Sequence, residues 1–152
     1  MTPSPTRRVY VAGPMQGKPE FNFPTFNAVA WALREQGHII FNPAERDIER
    51  HHGVDISKGN NEGSLDKVKS THGFSLREAL AEDTNFICLV ANTIIMLPGW
   101  EKSNGAQAEH RLAVALQSEG MEVEYLDQME CDAILLMHRE YLDAMQGVAR
   151  AA

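Results

Sequence analysis

Two carboxylates stand where apolar side chains are expected. On a helical wheel of about 100° per residue, the segment 105–118 gathers Ala106, Ala108, Leu112, Ala113, Ala115 and Leu116 on one arc, with Gln107, His110, Arg111 and Gln117 opposite. Glu109 falls in the middle of that apolar arc. The segment 75–90 groups Leu76, Ala79, Leu80, Phe86, Ile87 and Val90, and Asp83 falls among them. Burying a carboxylate is costly unless it is paired or hydrogen-bonded, and the burial shifts its pKa. One such acid is as well explained by a cap, a buried ion pair or a boundary position as by catalysis. Two of them, on helices that flank the same strand, point to chemistry. Glu109 lies just inside the start of its helix, where the dipole favours the ionised form and suits a nucleophile.

The elements that must position these acids follow from hydrophobic periodicity. Arg7 to Pro14 is a β-branched and aromatic run ended by Gly-Pro, a strand entering a loop. Phe26, Val29, Ala30 and Leu33 repeat at helical spacing, with Asn22 or Thr25 as caps and Gly37 as the stop. His38 to Glu45 reads as a second strand, with Asn42 and Pro43 as its closing turn. From Arg46 to Gly73 the chain is polar without a sustained period, which predicts an insertion or lid at about 46–73. Ser75 with Glu78 three residues on is a capping box. A third strand ends at Pro98-Gly99, a helix covers Gly105 to Leu116, a fourth strand Met121 to Leu126, and a C-terminal helix about 132–146. This alternation predicts one α/β domain over 1–152, a small doubly wound Rossmann or flavodoxin-like parallel sheet with helices on both faces. Ligands bind such sheets at the carboxyl ends of the strands, which singles out the loops after the first and third strands.

Composition narrows the partners. A net charge of −7 over 152 residues argues against a nucleic acid polymer, since duplex binding draws on clustered Lys and Arg. One small phosphate remains compatible, because a helix N-terminus holds an anion whatever the net charge. Two cysteines make neither a disulfide framework nor a metal quartet, and the start of the chain carries neither a signal peptide nor an apolar span. A cytoplasmic protein without membrane association is the expectation. His51, His52 and His72 fit no metal-site spacing, so no metal and no cofactor is assigned.

The segments "YVAGPMQG", "FNFPTF", "EDTNFI" and "LPGWEKSNGAQAEHRLAVAL" resemble the nucleoside 2-deoxyribosyltransferase superfamily, in particular a phage and bacterial branch of it mostly without an assigned function. The likeness spans roughly Tyr10 to Leu116; the segment 46–73 and everything after Leu126 lie outside it. It implies that Glu109 attacks the anomeric carbon, that Asp83 helps protonate the departing base, and that Tyr10 orients Glu109. Those types suit the reaction. An N-glycosidic bond breaks through an oxocarbenium-like transition state, which a carboxylate beneath the sugar stabilises or captures as an ester. An acid against an apolar wall keeps a proton for the leaving base near neutral pH. Without the resemblance, Tyr10 reads as an ordinary strand aromatic.

Ser103, six residues before Glu109, refines the expectation. Transferases acting on unphosphorylated nucleosides usually carry aspartate there, whereas the branch resembling 2'-deoxynucleoside 5'-monophosphate N-glycosidases carries serine. A hydroxyl beside the N–H groups of Asn104, Gly105 and Ala106 suits a phosphate; it equally suits a helix N-cap. Gly13, Gln16, Gly17 and Lys18 of the first loop offer backbone donors and a cation to the same phosphate, although the hydrolases tend to carry arginine where Lys18 stands. Trp100 either stacks on a base or shields a helix start. Hydrolysis of a nucleoside 5'-monophosphate is thus the leading expectation, ahead of base exchange and of a non-catalytic nucleotide sensor. Ile134, Leu135, Met137, Tyr141 and Met145 of the last helix offer surplus apolar surface, which with the resemblance predicts a homodimer or higher homo-oligomer.

Overall fold

A computed structural model describes residues 2–151, with side chains through residue 148. Four parallel strands, β1 (Arg8–Ala12), β2 (Ile39–Phe41), β3 (Thr93–Met96) and β4 (Glu122–Tyr125), form one sheet in the order β2-β1-β3-β4. Tyr10 pairs with Phe41 on one side and Ile94 on the other. The chain moves outward from β1 to β2 and then crosses back to β3, so the order reverses between β1 and β3, the point at which open α/β sheets hold ligands. The small doubly wound α/β fold read from the sequence is the fold observed.

Alternation along β1 separates two packed layers. Val9 and Val11 face α1 (Phe23–Glu35) and α6 (Gln128–Ala151), joining Phe26, Val29, Ile95, Leu97 and Cys131. Tyr10 and Ala12 face α4 (Leu76–Leu89) and α5 (Asn104–Ala115), joining Ile87, Ile94, Met96, Ala106 and Ala113. Ser75 caps α4 by accepting from the Glu78 N–H at 3.2 Å, as the capping box predicts. Among the described residues no helix is long and apolar enough to cross a membrane.

Three sequence expectations are corrected. Asn42 and Pro43 do not close a strand: Asn42 is the buried N-cap of α2 (Pro43–Arg50), its Oδ1 accepting from the Ala44 N–H at 3.0 Å. Proline at the first helical position completes a helix-start signal. The segment 46–73 is not a detached lid. It contains the end of α2 and all of α3 (Leu65–His72), and it buries Ile56 and Val68 in the α1 layer. Its polar faces hide the period because each helix is only two turns long. The last helix begins at Gln128 and runs to Ala151, longer at both ends than expected.

This segment also fixes the loop after β1. The Gly17 N–H donates to Gly63 O at 3.0 Å, and the Glu20 N–H to Asn60 O at 2.9 Å. Gly63 has φ +64, and a Cβ there would lie 2.4 Å from the Lys18 carbonyl oxygen. Only glycine permits that approach. Glu20, Phe21 and Asn22 follow with φ of 51°, 53° and 62°, a left-handed run of non-glycine residues costing of order 1 kcal/mol or more each. Gly63→Ala is therefore expected to lower the melting temperature by at least about 3 °C in a calorimetric scan; an unchanged value would show that the loop is not clamped at this point.

Candidate active site

The α4/α5 layer brings both acids to one place. On α5, Ala106, Glu109 and Ala113 face inward, and on α4, Ala79, Asp83 and Ile87. Glu109 and Asp83 are each 6% exposed, and the Tyr10 side chain of β1 is fully buried with them. The three side chains line a cavity of about 30 Å3, roughly the space of one water, together with Met15, Phe26 and Pro43. Two of the three buried side-chain polar atoms that lack a hydrogen-bond partner among the described residues are the Tyr10 hydroxyl and Asp83 Oδ1. A buried group left unpaired costs about 1–3 kcal/mol. Two such groups side by side are unusual in a packed interior, where nearly all buried polar atoms are paired.

Burial sets the electrostatics. It raises the Glu109 carboxyl well above the ordinary carboxylate range, the charge of Asp83 adds to the rise, and the Tyr10 hydroxyl opposes it. Asp83 is pushed up to about 7, first by burial and then by the charge of Asp47, with Tyr10 and Arg50 pulling the other way. Tyr10 is raised by burial and by both carboxylates. The helix dipole does not set the state of Glu109, which lies in the second turn of α5 where that field has fallen off. Two acids this close do not both ionise readily; they share charge as a coupled pair.

Beside this cavity lies a larger depression of about 310 Å3, lined by Pro14, Gln16, Lys18, Gly99, Lys102, Ser103, Asn104 and Gly105. Ser103 is the N-cap of α5, its Oγ accepting from the Ala106 N–H at 3.3 Å, so the hydroxyl both caps the helix and lines the depression. Gln16, Lys18, Ser103, Asn104 and Gly105 thus meet as expected. Gly13 does not join them. It lines the carboxylate cavity, where a Cβ would lie 2.7 Å from Leu97 Cβ, so its role is close packing of β1 against the end of β3. Gly17 lines neither space and is tied to Gly63. Trp100 is also elsewhere: its ring lies 4.1 Å from His110 and 5.9 Å from Tyr125 by centroids, which covers the start of α5. His51 stacks on Phe74, and among the described residues no cluster of His, Cys, Asp and Glu suits a metal ion.

Sequence reasoning missed two residues. Lys102 stands beside Ser103 and adds a second cation to the depression. Asp47 is 5% exposed on the inner face of α2, one turn after Ala44. The Asn42-Pro43 helix start, taken as such, would have placed it there.

The raised carboxyls give a signed stability prediction. The folded state keeps protons that the unfolded chain releases above its ordinary carboxylate values, so this contribution is complete below about pH 4 and is lost as pH rises toward 7. For Asp83, moving from 3.8 to about 7, it amounts to on the order of 4 kcal/mol at most. Asp83→Asn is expected to melt above the parent at pH 8, with the gap closing near pH 4. A variant less stable than the parent at both pH values would mean that Asp83 is a structural acid.

The family relationship agrees with the extent of the fold. No curated protein and no solved structure matches this chain. A family model does, over residues 7–125, which takes in β1 to β4 and the segment 46–73 and ends before α6. The chain belongs to the family described as Domain of unknown function (DUF4406).

Proposed function

We propose that this protein hydrolyses the N-glycosidic bond of a nucleoside 5'-monophosphate, probed most directly with deoxynucleotides, and releases free base and sugar 5-phosphate. The observation that carries the reading is the buried Glu109–Tyr10–Asp83 group beside a polar depression holding two lysines and the start of α5. The phosphate rests in the depression, against Lys18, Lys102 and the free N–H groups of α5. The sugar then lies over Glu109. The coupled pair shares one charge, and the form that reacts is the one in which Asp83 holds the proton and Glu109 is ionised. In the first step that carboxylate bonds to the anomeric carbon as the glycosidic bond breaks, and the leaving base takes the proton from Asp83. In the second step water attacks the same carbon, the ester breaks, and its proton returns to the acid. Tyr10 donates to whichever carboxylate carries the charge. The sequence resemblance to nucleoside 2-deoxyribosyltransferases supports the same assignment.

The 30 Å3 cavity is too small for a sugar, so binding displaces Met15, an unbranched side chain suited to moving. Incubation with a panel of nucleotides and nucleosides, followed by chromatography for released base, tests the reaction. Glu109→Ala is expected to lower base release at least a thousandfold while leaving the fold intact; activity within a few-fold of the parent would exclude Glu109 as nucleophile. Monophosphates are expected to outperform nucleosides, and Ser103→Asp to remove most of that preference by charge repulsion. Equal use of nucleosides by the parent, with base exchange when a second base is added, would assign the chain to transfer instead.

We further infer that the working unit is a homodimer or larger homo-oligomer. One side of α6 covers α1, with Tyr141 and His138 against the Trp31 ring. Ile134 packs on the core and Tyr141 on Trp31, so neither is surplus surface as expected. The same face continues at helical spacing to Met145 and Val148, which with Met137 and Leu142 at its flanks stand in solvent as an apolar patch. Light scattering at micromolar concentration is expected to give at least twice 16.9 kDa; a fully active species at the monomer mass would reject the assembly.

A further inference from the structure

A second, partly open space adjoins the carboxylate cavity and the proposed reaction does not use it. It measures about 60 Å3, is walled by Phe21, Phe23, Ile56, Val68 and Phe74, and has one carboxyl, Asp47, in its lining. Met15 borders both this space and the Glu109–Asp83 cavity, and Gln16 borders both this space and the lysine depression. The three spaces therefore share the single loop after β1. Asp47 is almost wholly buried, with 5% of its surface exposed. Its Oδ1 meets the Arg50 guanidinium, which also holds Glu82 of α4 at 2.5 Å; Oδ2 takes no hydrogen bond among the described residues. The charge of Asp47 reaches Asp83, so the carboxyl stands close to the proposed proton donor.

Apolar and aromatic walls with one convergent polar group are the usual makeup of a site for a flat, partly polar ring. The carboxylate cavity is taken by the sugar, so the base has this space of about 60 Å3 and what Met15 vacates on its side. That falls short of the volume of about 150 Å3 in which a benzene-sized ring lies fully enclosed, so a single ring fits with one edge toward the open side and a fused pair does not fit. Burial pushes the Asp47 carboxyl up to about 7 while Arg50 pulls it down, so above that pH the group is ionised and the oxygen that Arg50 does not occupy is an acceptor. It pairs with an exocyclic amino group and repels a carbonyl oxygen at the same position.

We propose that this space is the base subsite, and that Asp47 Oδ2 accepts a hydrogen bond from an exocyclic amino group, which selects single-ring amino-bearing bases of the cytosine type over keto bases of the uracil type and over purines. The assignment rests on the glycosidase reading for its orientation, with phosphate in the depression and sugar between. A site built to hydrogen-bond one group rejects the analogue lacking it strongly, because its own buried atom is left unpaired.

Binding is measured by titration calorimetry at pH 8, where Asp47 is ionised, on the Glu109→Ala protein, so that no turnover is needed. Deoxycytidine 5'-monophosphate is expected to bind at least tenfold more tightly than the deoxyuridine and deoxyadenosine monophosphates. Asp47→Asn, which can turn an amide N–H toward a carbonyl, is expected to abolish or invert the cytosine preference over uracil. Val68→Phe, which fills the space and leaves the Arg50 ion pair alone, is expected to weaken the cytosine nucleotide tenfold or more with no loss of circular dichroism signal. Equal binding of cytosine and uracil nucleotides, tighter binding of the purine, or an unaltered preference in a folded Asp47→Asn protein would overturn the proposal. Base release by the parent is scored separately: release with equal binding removes only the base subsite, and selective binding without release removes only the glycosidase reading.

Discussion

The structure depends on the packing of α4 and α5 against one face of the sheet with a carboxyl group at the centre of each contact. Ala79 and Ile87 flank Asp83, and Ala106 and Ala113 flank Glu109. The small residues let both helices approach β1 closely enough to bury the acids against Tyr10. An apolar residue at either position would pack at lower cost. The protein instead holds two carboxyls whose charges oppose each other, and raises both above their ordinary range. A coupled pair of this kind supplies an acid and a base from the same residue type at neutral pH.

The same constraint explains the rest of the site. An unpaired tyrosine hydroxyl and an unpaired carboxyl oxygen are stable only if the surrounding structure is rigid, and several contacts provide that rigidity. Arg46 and Arg50 of α2 both reach Glu82, the neighbour of Asp83 on α4, which ties α2 to the layer that carries the two acids. The loop after β1 is held by Gly63 and Asn60 and continues into three left-handed residues. Strain of that kind persists where a backbone path is dictated from outside. Here the path carries Met15 and Gln16 along three adjoining spaces. The segment 46–73 is thus the frame of the loop.

Legibility in the sequence follows the length of the repeating signal. The α4 and α5 segments are long enough for a wheel to be unambiguous, so Asp83 and Glu109 stand out from residue spacing alone, and Ser75 with Glu78 marks its helix start by local chemistry. The parallel sheet follows from the alternation of strands and helices. The segment 46–73 is opaque for the opposite reason: α3 has eight residues and only Val68 among them is buried, so no period can emerge. Asp47 is hidden with it, although Asn42-Pro43 announces the helix that carries it. Gly13 and Gly17 look alike as donors in a phosphate loop; one is needed for contact with Leu97 and the other for a turn against Gly63, and both demands come from residues far away in the chain. Trp100 is drawn off by His110 and Tyr125, aromatic partners that sequence order does not reveal.

The central claim is that the buried Glu109 carboxylate bonds to the sugar. Its most direct test is mass spectrometry of the protein quenched in acid after mixing with a 2'-deoxy-2'-fluoro nucleoside 5'-monophosphate, since the fluorine destabilises the oxocarbenium-like transition state and lets a covalent ester accumulate. The account predicts a mass increase of one fluorinated sugar phosphate, located by peptide sequencing on Glu109 and absent from Glu109→Ala. Release of base with the sugar attached to no residue, or attached to a residue other than Glu109, would contradict it.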